Sequence, residues 1–452
     1  MMTFLSFIVF LPPIFLGTAL IHYLWPEKTA TAFFLKASLG IGFGLGLNSI
    51  LYFLVLQVAP GRIGRISLLT LQIIILASLL TITLLRARKQ KWSQVYLPTL
   101  SRLQWGMISI TLLALFISTL VFINTINARP QGEYDAWSIW NRAARFIYRD
   151  PENWRATLSP DLEQFTHADY PLLIPLNVAW GWEMLGNETL RLPMAQSALF
   201  IFSIIILMFS ALSFTRTIGQ ASLATVLLLA SSIFIVTGTN MTADIPVAYF
   251  IFASSILMYL FFLHKNAALL VLSGFMAGLA GWTKNEGLLL IAVGPFALIM
   301  ASPKNIKRSL LYYLAGLAIP LMIIFFLKSL TPTNDLLNND RNSLIAKITD
   351  LSRYWEVLKA FAKSFFNSSV IFLFIYTAIM HNHLTPDSKK GGFALFALLL
   401  LQLLGYFVVF VITPNDLAWQ LSTSMDRLIL QVTPLLLFLC FSISSDPETI
   451  FS

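Results

Sequence analysis

Long runs of apolar, uncharged residues alternate with short polar segments along most of this 452-residue chain. A helix that crosses the hydrocarbon core of a bilayer needs about 20 such residues. We predict about thirteen spans of this kind, near residues 3–24, 31–58, 66–85, 106–126, 194–214, 220–238, 245–263, 267–283, 287–301, 310–330, 366–380, 391–413 and 428–445. The pattern therefore predicts an all-α polytopic membrane protein.

A polar insert at residues 127–190 interrupts this pattern between two apolar runs. It gathers carboxylates, arginines and tryptophans, most densely from Gly132 to Asn141. Charge at a membrane boundary is costly unless water or a partner satisfies it, so such a cluster is by default a functional-site hypothesis. The apolar run 172–185 inside the insert is too short to span comfortably, and we expect a helix that lies along the membrane surface.

A second long polar loop covers residues 331–365. Its apolar residues recur at helical spacing, from Ile345 and Ile348 through Trp355 to Phe365, with basic residues between them. This spacing predicts an amphipathic helix in the membrane interface. A plain connector helix that packs on the protein would have the same spacing.

Lysine and arginine in the short loops predict the orientation of the spans. The loop 86–104 is rich in basic residues and is therefore predicted to be cytoplasmic, together with a tail at 446–452. Alternation places most other basic loop residues on the same side, with Arg62 and Arg65 as exceptions. The polar segments on the opposite, non-cytoplasmic side are then 127–190, 242–244, 283–286, 331–365 and 414–427.

Composition supports the membrane class and excludes several others. Hydrophobic residues make up 57% and charged residues 11% of the chain, whereas a soluble domain carries about 25% charged residues. The net charge of +9 lies mostly in short loops, so it indicates orientation rather than binding to nucleic acid. The single cysteine, Cys440, allows neither a disulfide framework nor a cysteine-based zinc site. The N-terminal run lacks a basic leader, so we interpret it as the first membrane helix.

The candidate catalytic residues are the carboxylates Glu133 and Asp135, beside Trp137 and Trp140. A carboxylate near such rings can act as a general base, and the rings suit a sugar face. Either acid could fill that role, while a purely structural acid near a helix start stays open. Asp244 is a third candidate, although an N-cap before a proline in the first turn would explain it equally well.

Basic residues at the outer ends of helices are candidates for binding a donor phosphate, namely Lys284, Arg191 and Arg427. Arginine binds phosphate in a bidentate manner, whereas a lysine at such a position also occurs simply because it extends to the interface. The candidates for binding the acceptor or a sugar are Trp137, Trp140, His167, Asp169, Tyr170 and Glu286. A hydrogen-bonded structural role for the histidine is an equal alternative.

The sequence contains no P-loop or dinucleotide-binding glycine motif and no His-Glu-x-x-His zinc motif. An enzyme whose site lies outside the cytoplasm has little access to nucleotide-activated donors. A donor carried by a lipid phosphate would suit basic residues beside a carboxylate at the membrane.

Four motifs follow one another on the same predicted side of the membrane. They are Glu-Tyr-Asp-Ala-Trp (133–137), His-Ala-Asp-Tyr-Pro (167–171) with Leu-Arg-Leu-Pro (190–193), Ala-Asp-Ile-Pro (243–246) and Trp-Thr-Lys-Asn-Glu-Gly (282–287). In this order they resemble the GT-C superfamily of membrane glycosyltransferases. The resemblance is to the bacterial relatives of protein O-mannosyltransferases and lipid A aminoarabinose transferases, and it covers about residues 110 to 440.

The resemblance implies a GT-C-type bundle with a large external loop that carries short interfacial helices. It also implies roles for single residues: Asp135 matches the general base, Asp244 a second acid that orients the site, and Lys284 the ligand of the lipid phosphate. Ala136 departs from the family, which often has adjacent Asp-Glu. The catalytic loop also follows about the fourth helix rather than the first, so we divide the chain into N-terminal helices (1–105), a catalytic module (106–445) and the tail.

The implied reaction moves a sugar from a polyprenyl-phosphate donor to a lipid, glycan or protein acceptor, with inversion of the anomeric centre. The other expected partners are membrane lipids, and nucleic acid is not expected. No cofactor is required with certainty, and a divalent metal is left as an open alternative. The expected location is a bacterial inner membrane, with the site on the periplasmic or extracellular face. Rival hypotheses are a polysaccharide polymerase or ligase with a lipid-pyrophosphate donor, a transporter or flippase of lipid-linked glycans, and an inactive relative.

Overall fold

The computed structural model describes residues 2–88, 100–162, 166–301, 306–333, 341–366, 368–380 and 384–446. These residues form helices and no strand, which confirms the predicted all-α membrane fold. Among them, 8 helices are long and apolar enough to cross a membrane, or up to 10 if each of two bent helix pairs is one span. The expected count of about thirteen is not confirmed, because some of the predicted spans are short helices.

Four helices lie in the predicted N-terminal region, namely α1 (Met2–Ile8), α2 (Leu11–Leu24), α3 (Ala30–Val58) and α4 (Arg62–Arg88). The first two continue as one candidate span. Helix α3 begins after Thr29, whose hydroxyl accepts the N–H of Ala32 at 3.2 Å as an N-cap. Of the most apolar 18-residue stretch of α3, 72% is buried, so α3 lies inside the bundle rather than at its edge.

Helix α5 (Arg102–Ala128) leads into the insert, which forms one π-helical turn, two short 3₁₀ turns and the helices α6 (Asn141–Arg149) and α7 (Leu173–Leu185). With 13 residues, α7 is too short to span, as predicted. Its position along a membrane surface stays a prediction, and every residue from Leu173 to Glu183 is buried in the protein. Its polar residues are bonded inside the fold: Asn177 donates to the carbonyl of Leu45 in α3 at 3.0 Å.

The next helices build the centre of the bundle. They are α8 (Arg191–Thr215), α9 (Ile218–Leu229), α10 (Ser232–Thr239), α11 (Asp244–His264), α12 (Ala267–Thr283), α13 (Gly287–Ala301) and α14 (Ile306–Lys328). Helices α9 and α10 meet at 64°, an arrangement found in a broken span or in a re-entrant loop. Helix α11 is the most enclosed, with 94% of its apolar window buried. The lengths of α12 and α13, 17 and 15 residues, explain part of the reduced span count.

The last helices are α15 (Arg341–Thr349), α16 (Leu351–Phe365), α17 (Ser368–Ile379), α18 (Pro386–Ile412) and α19 (Leu417–Ile443). The predicted amphipathic segment forms α15 and α16, with Ile345 and Trp355 exposed. Its other face packs on α18 and α19 through Val357 and Phe361. The segment thus has features of both an interfacial helix and a packed connector helix.

The N-terminal helices are integral to the packing around the insert. Helix α3 packs against α7 and α8, and its Ser49 hydroxyl accepts the indole N–H of Trp282 at 3.0 Å. The boundary at residue 105 stays a prediction. Parts of the predicted cytoplasmic segments, at 89–99, 302–305 and 447–452, lie outside the described residues.

Candidate active site

Two tight turns bring the acids of the insert to the start of α11. Gly132 adopts φ +74°, and the N–H of Glu133 next to it donates to the carbonyl of Asn240 at 3.1 Å. A Cβ at Gly132 would meet that same carbonyl, so glycine is required there. Met241 has φ +56°, a conformation that costs a non-glycine residue roughly 1–3 kcal/mol and that clusters at functional sites. Backbone strain at Met241 therefore costs the fold some stability, while the two turns hold Asp135 and Asp244 close together.

A π-helical turn, Ala136–Trp140, follows Asp135 directly. Its closing bond runs from the N–H of Asn141 to the carbonyl of Ala136. Turns of this kind appear mostly as single insertions in helices, frequently at functional sites. Asp135 therefore lies in the first turn of this helical segment, directly before the π turn.

Five charged side chains of alternating sign form what we call the charge chain: Glu286, Lys284, Asp244, Arg427 and Asp135. Lys284 Nζ lies 2.7 Å from Glu286 Oε1 and 3.2 Å from Asp244 Oδ1. Arg427 Nη2 lies 2.7 Å from Asp244 Oδ2 and 2.7 Å from Asp135 Oδ2. The structure thus brings together, from four distant places in the sequence, residues that were each predicted separately.

Asp244 is the buried centre of the charge chain, with 0% exposure. Besides the two cations, it accepts hydrogen bonds from Gln431 Nε2 at 2.9 Å and from Thr242 Oγ1 at 3.0 Å. The residue before α11 is Ala243, so Asp244 does not cap the helix. A carboxylate that is fully bonded and buried in this way can fix Lys284 and Arg427 in place.

Burial works against the charge of Lys284, but Asp244 and Glu286 outweigh this effect and hold the pKa of Lys284 above its ordinary value. The lysine is therefore a permanent cation in the working pH range. It lies just after the end of α12, in the turn from Thr283 to Gly287, where it bonds to protein groups instead of extending to water.

Further support for Asp244 comes from polar residues that sequence reasoning missed. The Tyr406 hydroxyl donates to Gln431 Oε1 at 2.7 Å and accepts from Gln402 Nε2 at 3.1 Å, all in buried positions. The two glutamines are the only side-chain amides in the apolar runs 391–413 and 428–445. Isolated polar residues inside a membrane helix mark functional or bonded positions, and this signal could have identified them.

The two candidate bases differ in their surroundings. Asp135 is held by Arg427, and its side chain is 29% exposed. Glu133 pairs instead with Arg129 in an exposed i, i+4 ion pair at the surface. Both line the same cavity, but Asp135 is the one that belongs to the charge chain.

A cavity of about 900 Å³ opens onto the charge chain. Its charged and polar lining side chains, which we call the polar wall, include Glu133, Asp135, His167, Tyr170, Lys284, Glu286 and Arg427. Its apolar lining side chains include Leu288, Leu289, Val409, Phe410 and Leu428. Ligand pockets have volumes of about 300–1,000 Å³. A cavity whose lining is partly charged and partly apolar can hold an amphiphile whose head group is anionic.

Aromatic rings of the insert form part of the polar wall. His167 stacks on Tyr170 with ring centroids 4.5 Å apart, and Tyr170 stacks on buried Trp140 at 5.5 Å. Burial raises the pKa of Tyr170, and the carboxylates Glu286, Asp169 and Asp135 add to the effect. The phenol therefore stays protonated and can donate a hydrogen bond into the cavity. Trp137 is exposed and packs edge-on against Tyr134, beside the residues that line the cavity.

Five predicted site residues do not line this cavity, namely Asp244, Trp137, Trp140, Arg191 and Asp169. Arg191, at the start of α8, donates to Asn127 and lies near Met194. Asp169 is buried and bonded to Asn285 and Lys328. Among the described residues, no group of three His, Cys, Asp or Glu side chains is arranged to hold a metal ion. The described residues therefore provide no set of ligands for the divalent metal that the sequence left as an alternative.

Comparison with family models finds a match of residues 169–327 to the family described as dolichyl-phosphate-mannose-protein mannosyltransferase. The matched stretch begins at Asp169 and includes Asp244, Lys284 and Glu286, and it ends just before Lys328. Comparison with curated proteins and with solved structures gives no match.

Proposed function

From the premise that this chain is a membrane glycosyltransferase of the GT-C superfamily, which the family match supports, we propose that it uses a polyprenyl-phosphate-linked sugar. It transfers that sugar to an acceptor hydroxyl on the non-cytoplasmic face of the membrane. The observation that carries this proposal is the charge chain beside a cavity whose lining is partly charged and partly apolar.

The donor phosphate binds at Lys284 and Arg427, and the first isoprene units lie along Leu288, Leu289 and Phe410. The leaving group of the reaction is a phosphate monoester, which is stable as an anion and needs cations rather than an acid. Preorganised cations in a water-poor site stabilise the charge that grows there in the transition state. Asp244 supplies this preorganisation because its carboxylate forms ion pairs with both cations.

The charge chain has three carboxylates and two cations, so its formal charge is −1 before the donor arrives. A phosphodiester head group adds one more negative charge. Arg427 accommodates it by sharing its Nη2 between Asp135 and the phosphate, while its Nε stays on Asp244 at 2.8 Å. This sharing weakens the hold of Arg427 on Asp135, which leaves that carboxylate free to accept a hydrogen bond from the acceptor hydroxyl once the donor is bound.

Asp135 then takes the proton of the acceptor hydroxyl as the oxygen attacks the anomeric carbon. One displacement of this kind inverts the anomeric centre, in contrast to a two-step retaining reaction. His167 and Tyr170 face the acceptor, and the protonated phenol donates to a sugar hydroxyl. The acceptor is a lipid, a glycan or a protein, and the site faces the outside of a bacterial inner membrane.

A polymerase or ligase with a lipid-pyrophosphate donor is less well supported by this cavity. Its described lining contains Lys284 and Arg427 as the lysine and arginine residues, a set that suits one phosphate better than two. A flippase or transporter would need polar residues along a path through the membrane. Here Asp244 begins α11 and Lys284 follows the end of α12, so the charges gather at one end of the helices.

The test of this function is a transfer assay on the purified protein in lipid nanodiscs. It compares polyprenyl-phosphate sugars, polyprenyl-pyrophosphate sugars and nucleotide sugars, and it measures the released lipid phosphate and the anomeric configuration of the product. We expect turnover with the polyprenyl monophosphate donor and an inverted product. Turnover with the pyrophosphate donor alone would contradict the proposed donor. Retention of the anomeric configuration would contradict the proposed mechanism.

Lys284→Ala is expected to weaken binding of polyprenyl phosphate about 10- to 100-fold. A hydrogen bond to a charged group contributes about 1.5–3 kcal/mol, and the variant loses one such group at the phosphate. The measurement is a binding titration in nanodiscs, with Lys265→Ala as control. Lys265 also pairs with a carboxylate, Asp387 at 2.6 Å, but it lies at the far end of α11. Affinity equal to wild type in Lys284→Ala would contradict the phosphate role.

A further inference from the structure

We propose that Lys328 is a positioning residue that locks the external insert onto the turn from Thr283 to Gly287, which we call the Lys284 turn. Its effect on the donor site rests on the proposed function, whereas the lock itself is a property of the fold. Lys328 is the last residue of α14 and does not line the cavity in the part of the chain that the structure describes.

One ammonium group joins three separate elements of the fold. Lys328 Nζ donates to the backbone carbonyl of Asp169 at 2.6 Å and to Asn285 Oδ1 at 2.8 Å, with Asp169 Oδ2 at 3.4 Å. Asn285 Nδ2 in turn donates to Asp169 Oδ2 at 2.7 Å. The three side chains therefore form a closed triangle between α14, the insert and the Lys284 turn.

The position of Lys328 differs from the ordinary one for a lysine at the end of a membrane helix. Such a lysine extends its ammonium group into water at the interface. Lys328 instead directs its ammonium inward to protein acceptors, and its side chain is only 25% exposed. Asp169 is more deeply buried, with 8% of its side chain exposed. Charge-assisted bonds in such an enclosed place are stronger than neutral ones and hold their partners more rigidly.

Both partners of Lys328 adjoin residues that line the cavity. Asp169 directly precedes Tyr170, which stacks with His167 in the polar wall. Asn285 lies between Lys284 and Glu286, at the end of the charge chain, and itself lines the cavity. The lock therefore fixes the distance between the stacked rings of His167 and Tyr170 and the cation Lys284, which binds the phosphate. Asp169 acts within this lock and not on the sugar, in contrast to the role expected from its motif.

If the lock exists, removing the ammonium group of Lys328 should increase the mobility of both partner segments at the same time. Lys328→Met is expected to raise amide hydrogen exchange in residues 166–172 and 283–288 at least tenfold. It should also weaken binding of polyprenyl phosphate about tenfold, which corresponds to about 1.4 kcal/mol. Lys328→Arg keeps the charge and should restore part of both effects. Lys265→Met removes the exposed pair with Asp387 and should change neither. The measurements use the full chain in nanodiscs, with polyprenyl phosphate as the probe.

A double-mutant cycle separates a lock from two independent effects. Lys328→Met and Asn285→Ala each break the same triangle, so their effects on hydrogen exchange and on affinity should be clearly less than additive. Exchange that rises in one segment alone, or losses that add, would overturn the lock. Wild-type affinity in Lys328→Met would overturn its role at the donor site. If wild-type protein fails to bind polyprenyl phosphate, the proposed function fails, and the exchange data alone still decide for or against the lock.

Discussion

Asp135→Asn is expected to lower the rate of sugar transfer by about 10²- to 10⁴-fold, the usual contribution of a general base. The amide has nearly the same size but cannot accept the proton of the acceptor hydroxyl. Arg427 keeps its bonds to Asp244, so the fold and the donor site should persist. The measurement separates kcat from the KM for the donor, and we expect the loss in kcat. Donor affinity should stay the same or improve, because Arg427 no longer shares its charge with Asp135.

Two further variants make this prediction discriminating. Asp161→Asn changes an exposed acid of the same insert, bonded to Ser159 at 3.2 Å, and should leave transfer intact. Glu133→Gln tests the other candidate base, which pairs with Arg129 at the surface. If Asp135→Asn turns over like wild type while Glu133→Gln does not, the base is Glu133. If both turn over normally, proton transfer does not depend on this turn of the insert.

The positions of the membrane helices could largely be predicted from the sequence, because a bilayer imposes its length on an apolar run. The run 31–58 became α3, Ala30–Val58, and the run 106–126 became α5, Arg102–Ala128. The count of spans could not be predicted in the same way. Hydropathy does not distinguish a segment that faces lipid from one that is buried in protein. Helix α7 is an example, since its apolar run is buried in protein.

The charged members of the candidate site could be predicted for a related reason. Asp244, Lys284 and Arg427 each stand out in an apolar sequence, where an ionisable side chain needs a partner. The pairing between them could not be predicted, since Asp135 and Arg427 lie almost 300 residues apart and meet only in the folded bundle. Arg191 has the same sequence signal as Arg427, yet its helix directs it to Asn127, outside the cavity. The direction of the side chain, and not the residue type, determines which of the two arginines lines the cavity.

Asp244→Asn is expected to have the largest effect on stability. Its carboxylate compensates two enclosed cations, Lys284 and Arg427, and removing one partner from a buried ion pair costs about 3–5 kcal/mol. The measurement is the thermal unfolding midpoint in nanodiscs at a fixed scan rate, because membrane proteins of this size commonly unfold irreversibly. Asp387→Asn breaks the exposed pair with Lys265 and serves as the control. Its cost should not exceed the roughly 1 kcal/mol of a surface pair.

The same variant distinguishes an anchor from a catalytic acid. If Asp244 only fixes the two cations, Asp244→Asn should lose stability and donor affinity together. Adding Lys284→Met should then recover part of the stability, because the uncompensated buried cation is removed. Transfer should stay absent in the double variant, since the phosphate has lost its ligand. A single variant that keeps its unfolding midpoint and its donor affinity but loses turnover would instead make Asp244 a direct participant in the chemistry.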